Sequence, residues 1–277
     1  PLPLYYAEPH IQQLVDAVEA GIPITVGTVT IGGASAPVTI AGCIVHSLVT
    51  DLTAVVLSQI IREGSFCIGT SDASFMEVAT GGVGGPSQSA IAEMAMCEIS
   101  RILGLPRLTN PAGDSQARRF NQDAVAEISS NMMQVFYSRP AVCPYVGSLD
   151  EGITFSLHAL LLADDLAGQL RSMWRGIEIN DEMMALDLTR TEGPRGNYLA
   201  NEHTANYCRR ESWDSRYFGA NYPISSGNLA DEDLIERIDR ELQEILRTYQ
   251  PVALAPEILQ QMRSIADRFR LDYVAPD

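Results

Sequence analysis

The residues best suited to acid–base or binding chemistry lie together in one short polar segment. Glu202 and His203 begin this segment, and Arg209 and Glu211 follow within the same predicted helix. Because an α-helix repeats every ~3.6 residues, the histidine and the later acid fall on a similar side of it. We therefore interpret the segment as a candidate acid–base or substrate-binding face. The alternative is a histidine that caps or bridges polar helices.

Aromatic residues form a second group, near the predicted strand ends and the polar helix. Its members are Phe136, Tyr137, Tyr145, Phe155, Tyr198 and Trp213. Rings arranged around a cation can form a cage for a quaternary ammonium group. Ordinary packing in the core or at an interface is the alternative, and the pattern alone leaves both open.

Two glycine-rich loops precede predicted helices, and neither has the spacing of a dinucleotide-binding motif. The first loop contains Gly32 and Gly33, and the second contains Thr80 and Gly81. Because helix N-termini attract negative charge, such loops would suit a carboxylate or another small anion. Tight turns without a ligand are the alternative.

The composition argues against several classes of function. The 277 residues carry a formal net charge of -16, which repels nucleic acid and anionic membranes. All 19 basic residues are arginine, so the chain offers no lysine for Schiff-base chemistry or a phosphate loop. The five cysteines show no metal-ligand spacing and indicate a reducing compartment. With no recognisable signal peptide or membrane span, we expect a cytoplasmic protein without a metal site.

Hydrophobic periodicity predicts four strand–loop–helix units in succession. Strands are expected at 22–26, 66–68, 105–109 and 141–146, and helices at about 40–60, from 86, at 115–137 and at 156–172. Such repetition favours parallel strands joined by crossover helices, in a doubly wound sheet or in a barrel. Function then lies at the carboxyl ends of the strands. From about residue 177 the pattern becomes a helical tail.

Several motifs resemble, in order, those of the trimethylamine:corrinoid methyltransferase superfamily. Residues 34–42, ASAPVTIAG, are similar to the family signature ATAPVTLAG, and 193–199, GPRGNYL, resemble its glycine turn. Residues 203–213, from the His-Thr pair to Trp213, are similar to the pattern H-T-x4-R-x-E-x-W. Some members of the family carry pyrrolysine in the region that aligns with the predicted strand around Cys143. This chain has only ordinary residues there, so it resembles the branch that lacks pyrrolysine.

The resemblance implies a TIM-type (β/α) barrel enzyme, of which residues 1–277 form one domain, roughly the C-terminal half of the barrel with a helical tail. It implies methyl transfer from a methylamine or a betaine-like quaternary amine to a corrinoid protein. The corrinoid belongs to that partner, and no cofactor is expected on this chain itself. Glu202 and His203 would polarise or position the substrate. The residues expected to bind it are Tyr145, Phe155, Tyr198, Arg209, Glu211 and Trp213, with Gly32, Gly33, Thr80 and Gly81 in the loops.

Two hypotheses of different kinds follow. In the first, the chain is one half of a split methyltransferase and works in a homo- or hetero-oligomer with a separate N-terminal half-barrel chain and the corrinoid protein. In the second, it is a non-catalytic small-molecule-binding or regulatory subunit with the same fold.

Overall fold

The computed structural model describes residues 3–77, 79, 81–84, 86–109, 112–218 and 233–272. Its strands are β1 (Ile24–Val26), β2 (Val29–Gly32), β3 (Cys67–Gly69), β4 (Asp72–Met76), β5 (Val83–Gly84), β6 (Ser148–Leu149) and β7 (Thr154–Phe155). Its helices are α1 (Glu8–Glu19), α2 (Ile40–Ile61), α3 (Pro86–Ile102), α4 (Gln122–Ser138), α5 (Leu157–Arg175), α6 (Asp181–Met184), α7 (Leu186–Glu192), α8 (Glu202–Glu211), α9 (Leu234–Thr248) and α10 (Pro256–Asp272).

The predicted parallel arrangement is confirmed for the four predicted strand regions, while β5 pairs with β4 and β7 pairs with β6 in antiparallel. Strand β1 pairs with β3, and β2 pairs with β4, both in parallel. Single parallel bridges then join Gly69 to Arg107 and Leu108 to Val142. The four predicted strand regions therefore lie side by side in chain order, each followed by a helix. This is an α/β arrangement of small sheets, and the described residues do not themselves close a barrel.

The largest apolar core lies between α4 and α5. Ile128 and Met132 on α4 pack against Leu162 and Leu166 on α5 at the helical spacing that the sequence predicts. Ile238, near the start of α9, is fully buried in the same cluster. Smaller clusters join α1 to β1 and β3, and α2 and α3 to β4. Helices α1, α2 and α3 thus pack against the strands, while α4 and α5 pack against each other.

The start of α4 and the presence of α1 differ from the sequence prediction. Helix α4 begins at Gln122 rather than near 115, because the side chain of Asn121 accepts a hydrogen bond from the amide of Ala124 at 3.0 Å and caps the helix there. Helix α1 was not predicted. Its apolar side buries Leu14 and Val18.

Helix α2 is, by length and composition, long and apolar enough to cross a membrane, with a mean hydropathy of 1.9 over its most apolar window. Its inward face is nevertheless polar. The hydroxyl of Ser47 donates to the carbonyl of Asp72 at 2.9 Å, and Asp51 is buried in an ion pair. This helix covers the strands in the structure, and the absence of a membrane span stays a prediction.

The chain divides into two compact units, residues 1–238 and 239–277. The first contains the strands and helices α1–α8. In the second, the described residues are helical in the end of α9 and in α10, whose apolar residues Ile258, Met262 and Ile265 are exposed. Most of the described residues of the C-terminal region are thus helical, while the helical tail and the single domain of residues 1–277 both stay predictions.

A candidate cation-binding site at the strand ends

The second and third strand regions separate just beyond Gly69. Up to that point, the amide of Gly69 donates to the carbonyl of Pro106 at 3.1 Å, and that of Leu108 donates to Gly69 at 3.0 Å. Beyond Gly69, carboxylates on two helices accept the hydrogen bonds that a neighbouring strand would otherwise accept. The amide of Ser71 donates to Asp51 at 3.0 Å, and the amide of Ala73 donates to Glu93 at 3.1 Å.

The buried side chain of Arg107 lies at this opening and binds both carboxylates. Its Nη1 lies 3.0 Å from Oδ2 of Asp51, and its Nη2 lies 3.2 Å from Oε2 of Glu93. Nη2 of Arg107 also donates to the carbonyl of Ser71 at 2.5 Å. The hydroxyl of Thr109 donates to Glu93 as well. One guanidinium thus connects α2, α3 and two strands in an interior where its own side chain is 2% exposed.

The charges of this network do not balance. Burial raises the pKa of Asp51 and of Glu93 above their ordinary values, although Arg107 and the hydrogen bonds lower them in part. Burial also opposes the charge on Arg107, but Glu93 and Asp51 outweigh it and raise the pKa of the guanidinium. Two carboxylates that share one cation therefore leave a surplus of negative charge, or hold a proton, in the interior.

A cavity of about 290 Å³, lined mostly by residues of polar type, opens beside Glu93, where the strands part. This volume lies close to the lower end of ligand cavities, at ~300 Å³. Its lining comes from β4, β5, α3, α4 and the loop after the third strand region. The lining residues are Asp72, Ala73, Ser74, Val83, Ser89, Ala90, Glu93, Asp114, Ser115, Gln116, Glu127, Asn131 and Gln134.

The acidic groups of the cavity are held by neighbouring polar groups. Asn131 donates to the carbonyl and the carboxylate of Asp114, at 3.1 and 3.2 Å. Glu127 accepts from the hydroxyl of Ser115 at 2.6 Å and from the amide of Gln116 at 2.8 Å. The buried Oε1 of Gln134 has no hydrogen-bond partner in the described structure. Acceptors of hydrogen bonds therefore outnumber donors at this site.

The electrostatics of the cavity favour a cation. None of the described lining residues is arginine or lysine, and four are carboxylic acids. Burial raises the pKa of Asp114, and the charge of Glu127 raises it further, against hydrogen bonds that lower it. A positive ligand would relieve the repulsion between these groups, whereas an anion would increase it.

The predicted acid–base residues lie elsewhere on the molecule. His203 is half-buried in the first turn of α8, where the side chain of Asn201 caps its amide at 3.0 Å. Its Nε2 is 3.3 Å from the carbonyl of Glu182, and its ring is 4.8 Å from that of Tyr207. Glu202, beside it, is exposed. These contacts match the bridging alternative given above.

The other predicted polar residues of α8 are also exposed. Arg209 faces solvent, and Glu211 lies 3.7 Å from Nε of Arg210. The carbonyl of Arg210 accepts a hydrogen bond from Arg175 at the end of α5. Because α5 extends for 19 residues from the fourth strand region, this contact joins α8 to the helix end remote from the strand ends.

The predicted aromatic residues are not brought together into a cage by the described contacts. Tyr145 and Phe155 are exposed beside the turn before α5, and Tyr198 is exposed before α8. Trp213 packs on α5, where Gly168 leaves room for its indole ring. The ring pair of Phe136 and Tyr137 is formed, with 5.2 Å between centroids, and Trp174 stacks on Phe136 at 6.2 Å.

The predicted glycine loops contain turns that need glycine. Gly33, at a φ of 93°, follows Gly32 at the end of β2, and its amide donates to Ala36 at 2.9 Å. Gly81, at a φ of 73°, lies in the turn between β4 and β5. Thr80 lies outside the described residues. The structure thus accounts for both glycine positions as turns, and an anion site there stays a prediction.

Only part of the acidic cavity could be predicted from the sequence. Asp72 and Asp114 lie in predicted strand-end loops, although Asp72 belongs to β4 in the structure, whereas Glu93 and Glu127 lie within helices. A signal was present in part, since Glu93 interrupts the apolar face of α3, which otherwise buries Ala92, Met96 and Cys97. A buried acid on a face of this kind indicates either a partner or a site.

Parallel strand pairs followed by helices define an α/β protein, with an acid-lined cavity where its strands part. The profile of the family described as trimethylamine methyltransferase (MTTB) matches residues 2–271. The chain belongs to this family, as its motifs predict.

Individual relatives agree with the family assignment. The chain is 28% identical over 276 residues to a proline betaine:corrinoid methyltransferase of Eubacterium limosum, with 96% of this chain and 55% of the relative covered. It is 25% identical to the trimethylamine methyltransferase MttB of Desulfitobacterium hafniense, over 98% of this chain and 54% of the relative. A glycine betaine methyltransferase of the same species is 24% identical, over 96% and 56%. The chain thus spans about half the length of the curated relatives it matches.

Proposed function

We propose that this chain binds a methylated ammonium compound in the acidic cavity at the strand ends, as part of a methyltransferase that passes the methyl group to a corrinoid protein. The observation that carries the proposal is the cavity itself, with four carboxylic acids and no arginine or lysine among its described lining residues. The family and the names of its relatives support the reaction class.

The proposed chemistry makes modest demands on the protein. A quaternary ammonium group is a good methyl donor because the amine that leaves is neutral. The corrinoid, held by its own protein, supplies the nucleophile. The residues of this chain then need only bind the cation, orient one methyl group outward and exclude water. Asp114 and Glu127, held by Asn131 and Ser115, are positioned to do the first two.

The cavity favours the ammonium end of the substrate over any carboxylate. A betaine would place its carboxylate away from Asp72 and Asp114, toward a donor outside this set of residues. Quaternary amines without a carboxylate would lack that constraint. We therefore expect a methylated ammonium group to be the recognised feature, with betaine or methylamine identity decided by groups beyond the cavity.

The second candidate function is that of a non-catalytic small-molecule-binding or regulatory subunit. The half-length coverage of the relatives favours it, because the described residues alone do not enclose a barrel. Under either candidate we expect the protein to act in the cytoplasm, within an oligomer and without nucleic acid or membrane.

Calorimetric titration with glycine betaine, proline betaine, trimethylamine and dimethylglycine tests the proposal, using the chain together with any companion half. The variants Asp114→Asn and Glu127→Gln should each weaken binding of a quaternary amine about tenfold, which corresponds to ~1.4 kcal/mol. Asp187→Asn is the matched control, since that side chain is 94% exposed and distant from the cavity residues in sequence.

Methyl transfer to the corrinoid protein separates the two candidates. Binding with transfer supports the enzyme, and binding without transfer supports the subunit. Preferential binding of an anionic metabolite, or equal effects of all three variants, would contradict the proposed site.

A further inference from the structure

Helix α2 distributes its polar and apolar residues in the opposite way to a helix that only covers a sheet. Its inward side buries small or polar residues, namely Cys43, Ser47, Thr50, Asp51, Ala54 and Ser58. Its opposite side carries branched apolar residues that are 37% to 76% exposed, namely Val45, Val49, Leu52, Val56 and Ile60. A surface helix normally turns its apolar side to the core. The five exposed residues, called here the outward face of α2, are therefore not explained by the core.

The outward face is continuous and uncharged. Its residues follow one another at steps of three or four, so they form a single line of about 23 Å along residues 45–60. The only charged residue between Ile40 and Ile61 is Asp51, which is buried in its ion pair with Arg107. On a chain with a net charge of -16, a second protein can approach this face with little charge repulsion.

The other sides of α2 are already packed within the chain. Helix α2 contacts α1 and α3, and beneath these it contacts strands β2, β3 and β4. The outward face lies on the side of the helix away from the buried residues, and in the described structure none of its five side chains is buried. A separate molecule is therefore needed to cover it.

The position of the outward face argues against a corrinoid protein as the occupant. Helix α2 begins after β2 and returns the chain to the start of β3, so it runs back from the strand ends. The outward face thus extends away from the end at which the acidic cavity lies. A protein that delivers a corrinoid to the cavity would not reach it through this face. A membrane is also disfavoured, because the net charge of -16 repels anionic lipid.

The types of side chain favour a copy of the same helix as the occupant. In heptad notation, Val49 and Val56 occupy position a, and Val45 and Leu52 occupy position d. Branched residues such as valine at a, with leucine at d, favour the pairing of two helices. The outward face has no charge that requires a partner of opposite sign, and two-fold symmetry is the commonest arrangement of identical chains.

We propose that the outward face of α2 is a self-association surface, on which α2 of a second copy of this chain packs about a two-fold axis near Leu52. Leu52 is the middle residue of the face, so it meets its own equivalent whether the two helices run parallel or antiparallel. The inward side of α2 keeps its contacts with Arg107 and the strands. The inference is independent of the proposed function, since the outward face shares no residue with the acidic cavity.

Sedimentation equilibrium of the chain at increasing concentrations tests the pairing. A glutamate on the outward face has to leave water and approaches its equivalent across the axis. The variants Val49→Glu and Val56→Glu should therefore each raise the dissociation constant of the dimer at least tenfold. Both positions are exposed, and glutamate has a higher helix propensity than valine, so the fold should be retained. Ile177→Glu, at a position 88% exposed and outside α2, adds the same charge and should leave association unchanged.

Cross-linking through a single cysteine tests the position of the axis. The background variant Cys208→Ser removes the exposed native cysteine. In this background, Leu52→Cys should give a disulfide-linked dimer on mild oxidation, because a disulfide needs Cα atoms within ~7 Å and the two copies of residue 52 lie beside the axis. Ile177→Cys is the matched control and should stay unlinked.

Three results would overturn the proposal. The first is a chain that stays monomeric at every concentration, or a dimer that both glutamate variants leave intact. The second is binding to lipid vesicles that Val56→Glu abolishes, which would assign the outward face to a membrane. The third is loss of binding to a companion chain in these variants while self-association persists, which would assign the face to that chain.

Discussion

Replacing Arg107 by methionine removes the one cation of the buried network while keeping a side chain of similar length. The change deletes the contacts to Asp51 at 3.0 Å, to Glu93 at 3.2 Å and to the carbonyl of Ser71 at 2.5 Å. Two carboxyl groups then remain in the interior without a counter-charge. Breaking a buried ion pair from one side typically costs ~3–5 kcal/mol. We expect a loss of free energy of unfolding in this range near neutral pH.

Urea unfolding followed by circular dichroism measures this loss. The control is Arg190→Met, because Arg190 and its partner Asp187 have side chains 78% and 94% exposed. Exposed pairs contribute little, so this control should stay close to the parent protein. The double variant Arg107→Met, Glu93→Gln should recover part of the loss, since one buried charge has gone. A cost below ~1 kcal/mol for Arg107→Met would refute the assignment of this residue as the link between α2, α3 and the strands.

Three further predictions concern separate sites. Burial raises the pKa of Glu93, so its contribution to stability is present below the ordinary carboxyl pKa of about 4.3 and is lost as the pH rises through the raised value. The difference in unfolding free energy between the parent protein and Glu93→Gln, measured by urea titration, should therefore decrease as the pH rises across this window. A difference that stays constant with pH would contradict the raised pKa of Glu93. Gly168→Ala places a Cβ 2.9 Å from Nε1 of Trp213. The resulting crowding costs ~1–3 kcal/mol, which exceeds the ~0.5–1 kcal/mol that alanine contributes over glycine in a helix. We therefore expect the tryptophan emission to shift and the melting temperature to fall. His203→Ala removes the contacts with the carbonyl of Glu182 and the ring of Tyr207, so it should lower the melting temperature and leave quaternary amine binding unchanged. Weakened binding with an unchanged melting temperature would instead support the acid–base role that the sequence predicts for His203.

The parallel strands and most helices could be predicted from the sequence because local patterns determine them. The apolar spacing in α5 is regular, whereas α2 is apolar along most of its length and still buries Ser47 and Asp51. The start of α4 could not be placed by periodicity, since a single capping side chain, Asn121, fixes it after a polar stretch. Local sequence thus gives elements more reliably than their ends.

The candidate site was harder to predict because its residues come from distant parts of the chain. Arg107 in a strand and Asp51 in an apolar helix are separated by 56 residues, and only the fold brings them into contact. The opening of the strands beyond Gly69 is likewise a tertiary effect, in which carboxylates of two helices replace strand pairing. The motifs that identify the family lie partly in α8, whose described contacts are with α5 and α6.

The same charge imbalance connects the structural network to the proposed cavity. Glu93 belongs to both, because it pairs with Arg107 on one side and lines the cavity on the other. Because Arg107 also pairs with Asp51, it does not fully neutralise Glu93. Glu93 therefore adds to the negative potential of the cavity, together with Asp114 and Glu127. A quaternary ammonium ion keeps its charge at every pH, so its attraction to the cavity varies only with the titration of these acids. A tertiary amine also loses its own proton at high pH. Permanent charge on the ligand therefore suits a site where burial raises the pKa of Glu93 and Asp114, because the cation can remain bound as these two groups ionise.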